Sequence, residues 1–134
     1  MSDDFVDRAR ALVGTRFRPQ GRSPDTGLDC VGLALAVFGI PAEAVRRNYL
    51  LRGDHGRELK TQILRFFRRV TTSARAPGDL VLSQLAADQL HLSIWTGGTF
   101  VHADARLRRV VETPGEPTWA CAGTYRRRIR NRGR

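Results

Sequence analysis

Apolar residues recur at helical spacing from the start of the chain. Phe5, Ala9, Leu12 and Val13 share one face of a helix predicted over 3–13, with Ser2 as its cap, Asp3 and Asp4 in its first turn, and Gly14 as its stop. Residues 15–29, rich in Gly, Pro, Arg and Asp, read as a long loop. From Cys30 to Phe38 the run Cys-Val-Gly-Leu-Ala-Leu-Ala-Val-Phe is apolar on every side. It predicts a buried helix entered through Leu28-Asp29 and closed by Gly39-Ile40-Pro41. A third helix is predicted over 56–69, with Leu59, Ile63, Leu64, Phe66 and Phe67 inward and Arg57, Lys60, Arg65, Arg68 and Arg69 outward. After the turn signal Ala76-Pro77-Gly78-Asp79 the texture changes to strands, at 80–82, 90–96, 99–103, 108–112 and 124–129. Gly97-Gly98 joins the second and third as a hairpin. Helices first and strands second predict an α+β fold, with N-terminal helices packed on a five-stranded antiparallel sheet.

Composition changes this picture little until charge is counted. The chain has 134 residues, 41% apolar and 27% charged, which suits one folded domain over 1–130 and excludes disorder throughout. Residues 131–134 read as a frayed basic tail. No apolar run reaches the roughly 18 residues of a membrane span. The N-terminus lacks the basic start and apolar core of a signal peptide, so synthesis in the cytoplasm is expected. Two cysteines are too few for a disulfide scaffold. The net charge is +10, and every basic residue but Lys60 is arginine. Such a balance fits a polyanion binder, and a nucleic-acid-binding module is one reading. Against nucleic acid, the arginines are spread along the chain and no aromatic residues interleave with the tail as stacking platforms. A basic surface would equally hold the free carboxylates of murein, or dock on a larger tail or baseplate protein.

Chemistry enters at Cys30. At the first turn of a predicted helix, its thiolate would be favoured by the helix dipole and by unpaired backbone N–H groups, which could also receive an oxyanion. A small buried apolar side chain is the alternative. His91 opens one strand of the hairpin and His102 closes the other, so counting from the turn sets them close together. A thiol needs a base, and the base a partner that fixes its tautomer; Cys30, His91 and His102 supply those three roles. No metal-ligand spacing is present, so neither metal nor cofactor is expected. If this is an enzyme, Cys30 should be alkylated well before Cys121, which reads as packing. His55 reads as a solvated loop residue, Trp95 as core or cleft wall, and Asp104 as a turn residue.

The segments Gly14-Thr15-Arg16-Phe17, Gly27-Leu28-Asp29-Cys30-Val31-Gly32-Leu33, Pro77-Gly78-Asp79-Leu80-Val81-Leu82, His91-Leu92-Ser93-Ile94-Trp95 and Phe100-Val101-His102-Ala103 resemble NlpC/P60 cysteine peptidases, in order and at close to that family's spacing. They are most similar to the short branch found as phage cell-wall peptidases and in gene transfer agent clusters. The resemblance implies a papain-like fold and cleavage of peptidoglycan stem peptides, often beside γ-D-glutamyl and a diamino acid. It sets Cys30 as nucleophile, His91 as base and His102 as orienting residue. Asp29 takes the position of a residue that helps hold the free amine of the substrate's L-Ala. Phe17 stands where the family commonly has Tyr, and Val31 where it commonly has Ser. A lost oxyanion donor costs roughly a hundredfold, so slow turnover or altered specificity is expected. The implied setting is a phage-like particle acting on the periplasmic wall. The competing classes are a catalytically weak tail or baseplate component and the nucleic-acid module.

Overall fold

The structure is a computed structural model that describes residues 2–45, 55–86 and 89–128. The tail 131–134, the loop before His55 and residue 129, the last of the expected strand 124–129, lie outside the described residues. Helix α1 (Ser2–Ala11) buries Val6 and Ala9, while Val13, expected inward, is 42% exposed. The loop that follows contains a small hairpin, β1 (Arg22–Ser23) with β2 (Gly27–Leu28). Helix α2 spans Cys30–Phe38, with Asp29 as its N-cap and Gly39 as its C-cap at φ 69°, the left-handed conformation that ends helices. Every residue of α2 except Ala36 is buried. Each large side chain contributes about 1.5–3 kcal/mol by leaving water, which is why this unpatterned apolar segment is the centre of the core.

Helix α3 (His55–Phe66) runs directly into strand β3 (Phe67–Val70). Five further strands follow: β4 (Leu80–Ala86), β5 (Gln89–Trp95), β6 (Thr99–Asp104), β7 (Arg109–Pro114) and β8 (Ala120–Arg127). They form one antiparallel sheet in the order β3-β8-β4-β5-β6-β7. The sheet therefore has six strands where the sequence predicted five. The additional strand comes from residues expected to continue the third helix. Phe67 and Val70 are buried and Arg68 and Arg69 exposed, the i, i+3 spacing of a helix and not the alternation of a strand, so only the pairing with β8 from Phe67↔Arg127 to Val70↔Thr124 makes the segment a strand.

Alternation sorts the sheet. Leu80, Leu82, Leu92, Ile94, Val101, Ala103, Val110 and Tyr125 face α2 and form one core with it. Phe38 links the helices to the sheet edge, its ring 4.8 Å from Phe5 and 4.9 Å from Phe67. Among the described residues no helix is long and apolar enough to cross a membrane.

Candidate active site

The loop before α2 is built around Asp29. Its Oδ1 accepts the Gly32 N–H at 2.7 Å and the Arg22 Nη1 at 3.2 Å, while Oδ2 accepts the Gln20 N–H at 3.1 Å. The Arg22 and Asp29 side chains are 2% and 12% exposed, so this ion pair lies inside the protein. Gln20 holds φ at 56°, a conformation few non-glycine residues adopt, to make its contact. Gly32 has no side chain because a Cβ there would overlap the Gly21 carbonyl oxygen.

Cys30 follows at once, 3% exposed. Strands β5 and β6 pair at Ile94↔Val101 and Trp95↔Phe100. Past that ladder, the Leu92 N–H is aimed at the Cys30 sulfur, joined by the cysteine's own N–H. Burial and then the Asp29 carboxylate push the thiol up to about 12, against those two donors and Arg22. The helix terminus thus does not give the ready thiolate expected of it. The order of alkylation expected from the sequence is not favoured either, because Cys121 is the exposed thiol and Cys30 the buried one. Cys121, read as packing, instead lies on the surface with its sulfur 3.5 Å from Arg75 Nη2.

His91 and His102 meet as the hairpin count predicts. Nε2 of His91 lies 2.8 Å from Nδ1 of His102, with the rings perpendicular. Burial depresses His91 to about 4, helped by His102 and opposed by Asp104; His102 is also lowered by burial. At neutral pH both rings, like the thiol, are uncharged. Trp119 closes over the pair, its ring 5.3 Å from His91 and 5.5 Å from His102, each edge to face. Sequence reading missed Trp119. The one signal was a large aromatic in the turn Gly115-Glu116-Pro117-Thr118, where nothing local buries it.

A cavity of about 500 Å³ joins these groups: Cys30, His91 and His102 line it together with Asp29, Phe17 and Trp119. Val31, expected at the substrate site, does not line this cavity. Its side chain packs in the core and borders a small apolar void beside Ala34, Ile63 and Leu92. That is a correction with a simple cause: one residue along a helix turns the side chain by about 100°. Asp104 borders the cavity and closes its own turn, Oδ1 accepting the N–H groups of Arg106 and Leu107. Trp95 lies outside it, under the Arg75 guanidinium at 5.8 Å. His55, expected in a loop, is the first residue of α3.

No family model and no curated protein matches the sequence. Solved structures do match. NlpC1 from Trichomonas vaginalis superposes with a TM-score of 0.72 at 15% identity, over 96% of this chain and 45% of that one. The peptidoglycan hydrolase RipB of Mycobacterium tuberculosis gives 0.61 at 21% identity, over 96% of this chain and 65% of its own. RipD of the same organism, a non-catalytic NlpC/p60 domain protein adapted to peptidoglycan binding, gives 0.60 at 15% identity over 96% and 97%. The chain thus spans about half the length of the first of these and about two thirds of the second. At these identities the likeness establishes the fold, which is that of NlpC/P60 domains.

Proposed function

We propose that the protein is a cysteine peptidase that cleaves peptidoglycan stem peptides. The observation that carries this reading is one cavity lined by a thiol at a helix start and by two linked histidines, on an NlpC/P60 fold. Because Nε2 of His91 is engaged by His102, the nitrogen left to act as base is Nδ1. That requires His91 to carry its proton on Nε2 and donate it to His102 Nδ1. His102 thereby holds His91 in the productive tautomer, and Trp119 packs edge to face against both rings.

With thiol and imidazole both neutral, the proton moves during attack. The Cys30 S–H proton passes to His91 Nδ1 as the sulfur bonds the scissile carbonyl carbon and the carbonyl pair moves to oxygen. His91 gives that proton to the leaving amine. It then takes one from water, whose oxygen resolves the thioester to a carboxylic acid and free Cys30. Oxyanion support is thin: Asp29 takes the Gly32 N–H, the Cys30 N–H is turned to its own sulfur, and Phe17 has no hydroxyl to add. Turnover slower by roughly a hundredfold than with a full oxyanion site follows.

The finer setting is a phage-derived or gene-transfer-agent particle, whose tail or baseplate brings the enzyme to the periplasmic wall; the motif resemblance supports it. A second reading is a wall-binding structural component that does not turn over, favoured by the burial of the thiol and by the likeness to non-catalytic RipD. Digestion of purified Gram-negative sacculi by wild type and Cys30→Ala, with muropeptides read by mass spectrometry, separates the two. Fragments from wild type alone support the peptidase. Binding to sacculi without release, equal in both proteins, supports the second reading.

A further inference from the structure

The charges that line the cavity are not equally available to a ligand. Asp29, the one position expected to hold an amine, has both carboxylate oxygens committed, to Arg22, Gln20 and Gly32. One of those bonds is kept at the expense of a left-handed Gln20, and another is the cap of α2. An incoming ammonium would have to compete with these donors for a carboxylate already neutralised by a buried guanidinium. Asp104 has one carboxylate oxygen, Oδ1, tied by two N–H groups of its own turn. Arg106, on the same turn, is the opposite case. It lines the cavity, is exposed, and its guanidinium has no partner among the described residues.

We infer that this cleft selects its peptide by a carboxylate, through Arg106, and not by a free N-terminal amine through Asp29. The inference rests on the peptidase reading and refines it. Chemistry of the substrate class suits it: a glutamate linked through its γ-carboxyl leaves its α-carboxylate free, close to the scissile bond. The planar guanidinium receives such a carboxylate through two parallel N–H bonds, and an amide in its place can accept one only. Phe17, Leu90 and Trp119 on the other walls give the neighbouring aliphatic stem an apolar surface. A cleft that ignores the amine accepts stem peptides still attached to the glycan, where that amine is acylated.

Four synthetic L-Ala-γ-D-Glu-diamino-acid peptides test this, with the D-Glu α-position as carboxylate or carboxamide and the N-terminus free or acetylated. Wild type should cleave the two carboxylates about tenfold better than the carboxamides, chiefly through KM, and acetylation should change little. Arg106→Gln should abolish the preference and Arg106→Lys restore part of it. Equal cleavage of acid and amide, or loss of cleavage on acetylation, would overturn the inference and leave the peptidase reading standing. If nothing is cleaved, calorimetric binding of the same peptides to Cys30→Ala decides. Arg106-dependent preference for the carboxylates would uphold the inference while the peptidase reading fails; no such preference would end both.

Discussion

A thiol and an imidazole that are each uncharged at neutral pH set the residue-scale behaviour of this site. Papain-like chemistry is often pictured as starting from an ion pair, but here burial pushes Cys30 up to about 12 and His91 down to about 4. Two consequences follow from the direction of the histidine shift. First, the unfolded chain takes up a proton near pH 6.5 and the native one only near 4. Stability is therefore complete above about 6.5 and is lost as pH falls toward 4, by at most about 3 kcal/mol for this group. Between pH 7 and 4 the stability of wild type, read from urea midpoints, should fall relative to that of His91→Gln by up to this amount. Second, kcat/KM should hold its plateau down to about pH 5 and show no alkaline limb near 8.5. Such a limb would mean a preformed thiolate–imidazolium pair. At this scale the sequence was readable where a residue type in a register sufficed: Cys30 at a helix start, and His91 with His102 across a hairpin. It was unreadable where burial decided, as with the sign of the thiol's shift, the inward turn of Val31, or the lid formed by Trp119.

Elements place these groups, and α2 does most of it. Its limits were legible in full because an apolar run bounded by Asp29 and Gly39 has a cap at each end. The strand β3 was not legible, since partners distant in sequence made it. Nor was the packing of the loop 19–29 onto α2, which depends on Gly21, Gly27 and Gly32 meeting at backbone distance. Gly32→Ala tests that packing because two effects oppose. Alanine favours a helix interior by about 1 kcal/mol. Its Cβ, however, overlaps the Gly21 carbonyl oxygen, part of a backbone fixed by the Arg18 and Asp29 bonds around it. Overpacking of this kind costs about 1–3 kcal/mol. The clash should win: Gly32→Ala should lose up to about 2 kcal/mol in denaturant titration and lower activity through the displaced cavity wall. A more stable variant would show that the loop yields freely.

Across the whole molecule, the arginine content looked from composition like a polyanion-binding footprint. Much of it is spent internally. Arg126 clasps Asp79 through two nitrogens at 2.8 and 2.9 Å, fixing the turn before β4 to β8. Arg127 donates to the Phe38 and Phe66 carbonyls, and Arg128 to that of Phe67. Together they tie the end of the chain's last strand to the turn before β4, to the ends of α2 and α3, and to β3, which no composition count reveals. The fold class, by contrast, followed from the order of periodicities alone. What joins fold to function is the claim that a buried thiol becomes the nucleophile when a peptide fills the cleft. The most direct test is labelling with a stem-peptide analogue whose scissile carbonyl carries an acyloxymethyl ketone, followed by peptide mapping. The thiol displaces the carboxylate and keeps a stable thioether. The label should map to Cys30, vanish in His91→Ala, and spare Cys121 even though that thiol is the exposed one. Label on Cys121 alone, or none on folded protein, would contradict the assignment.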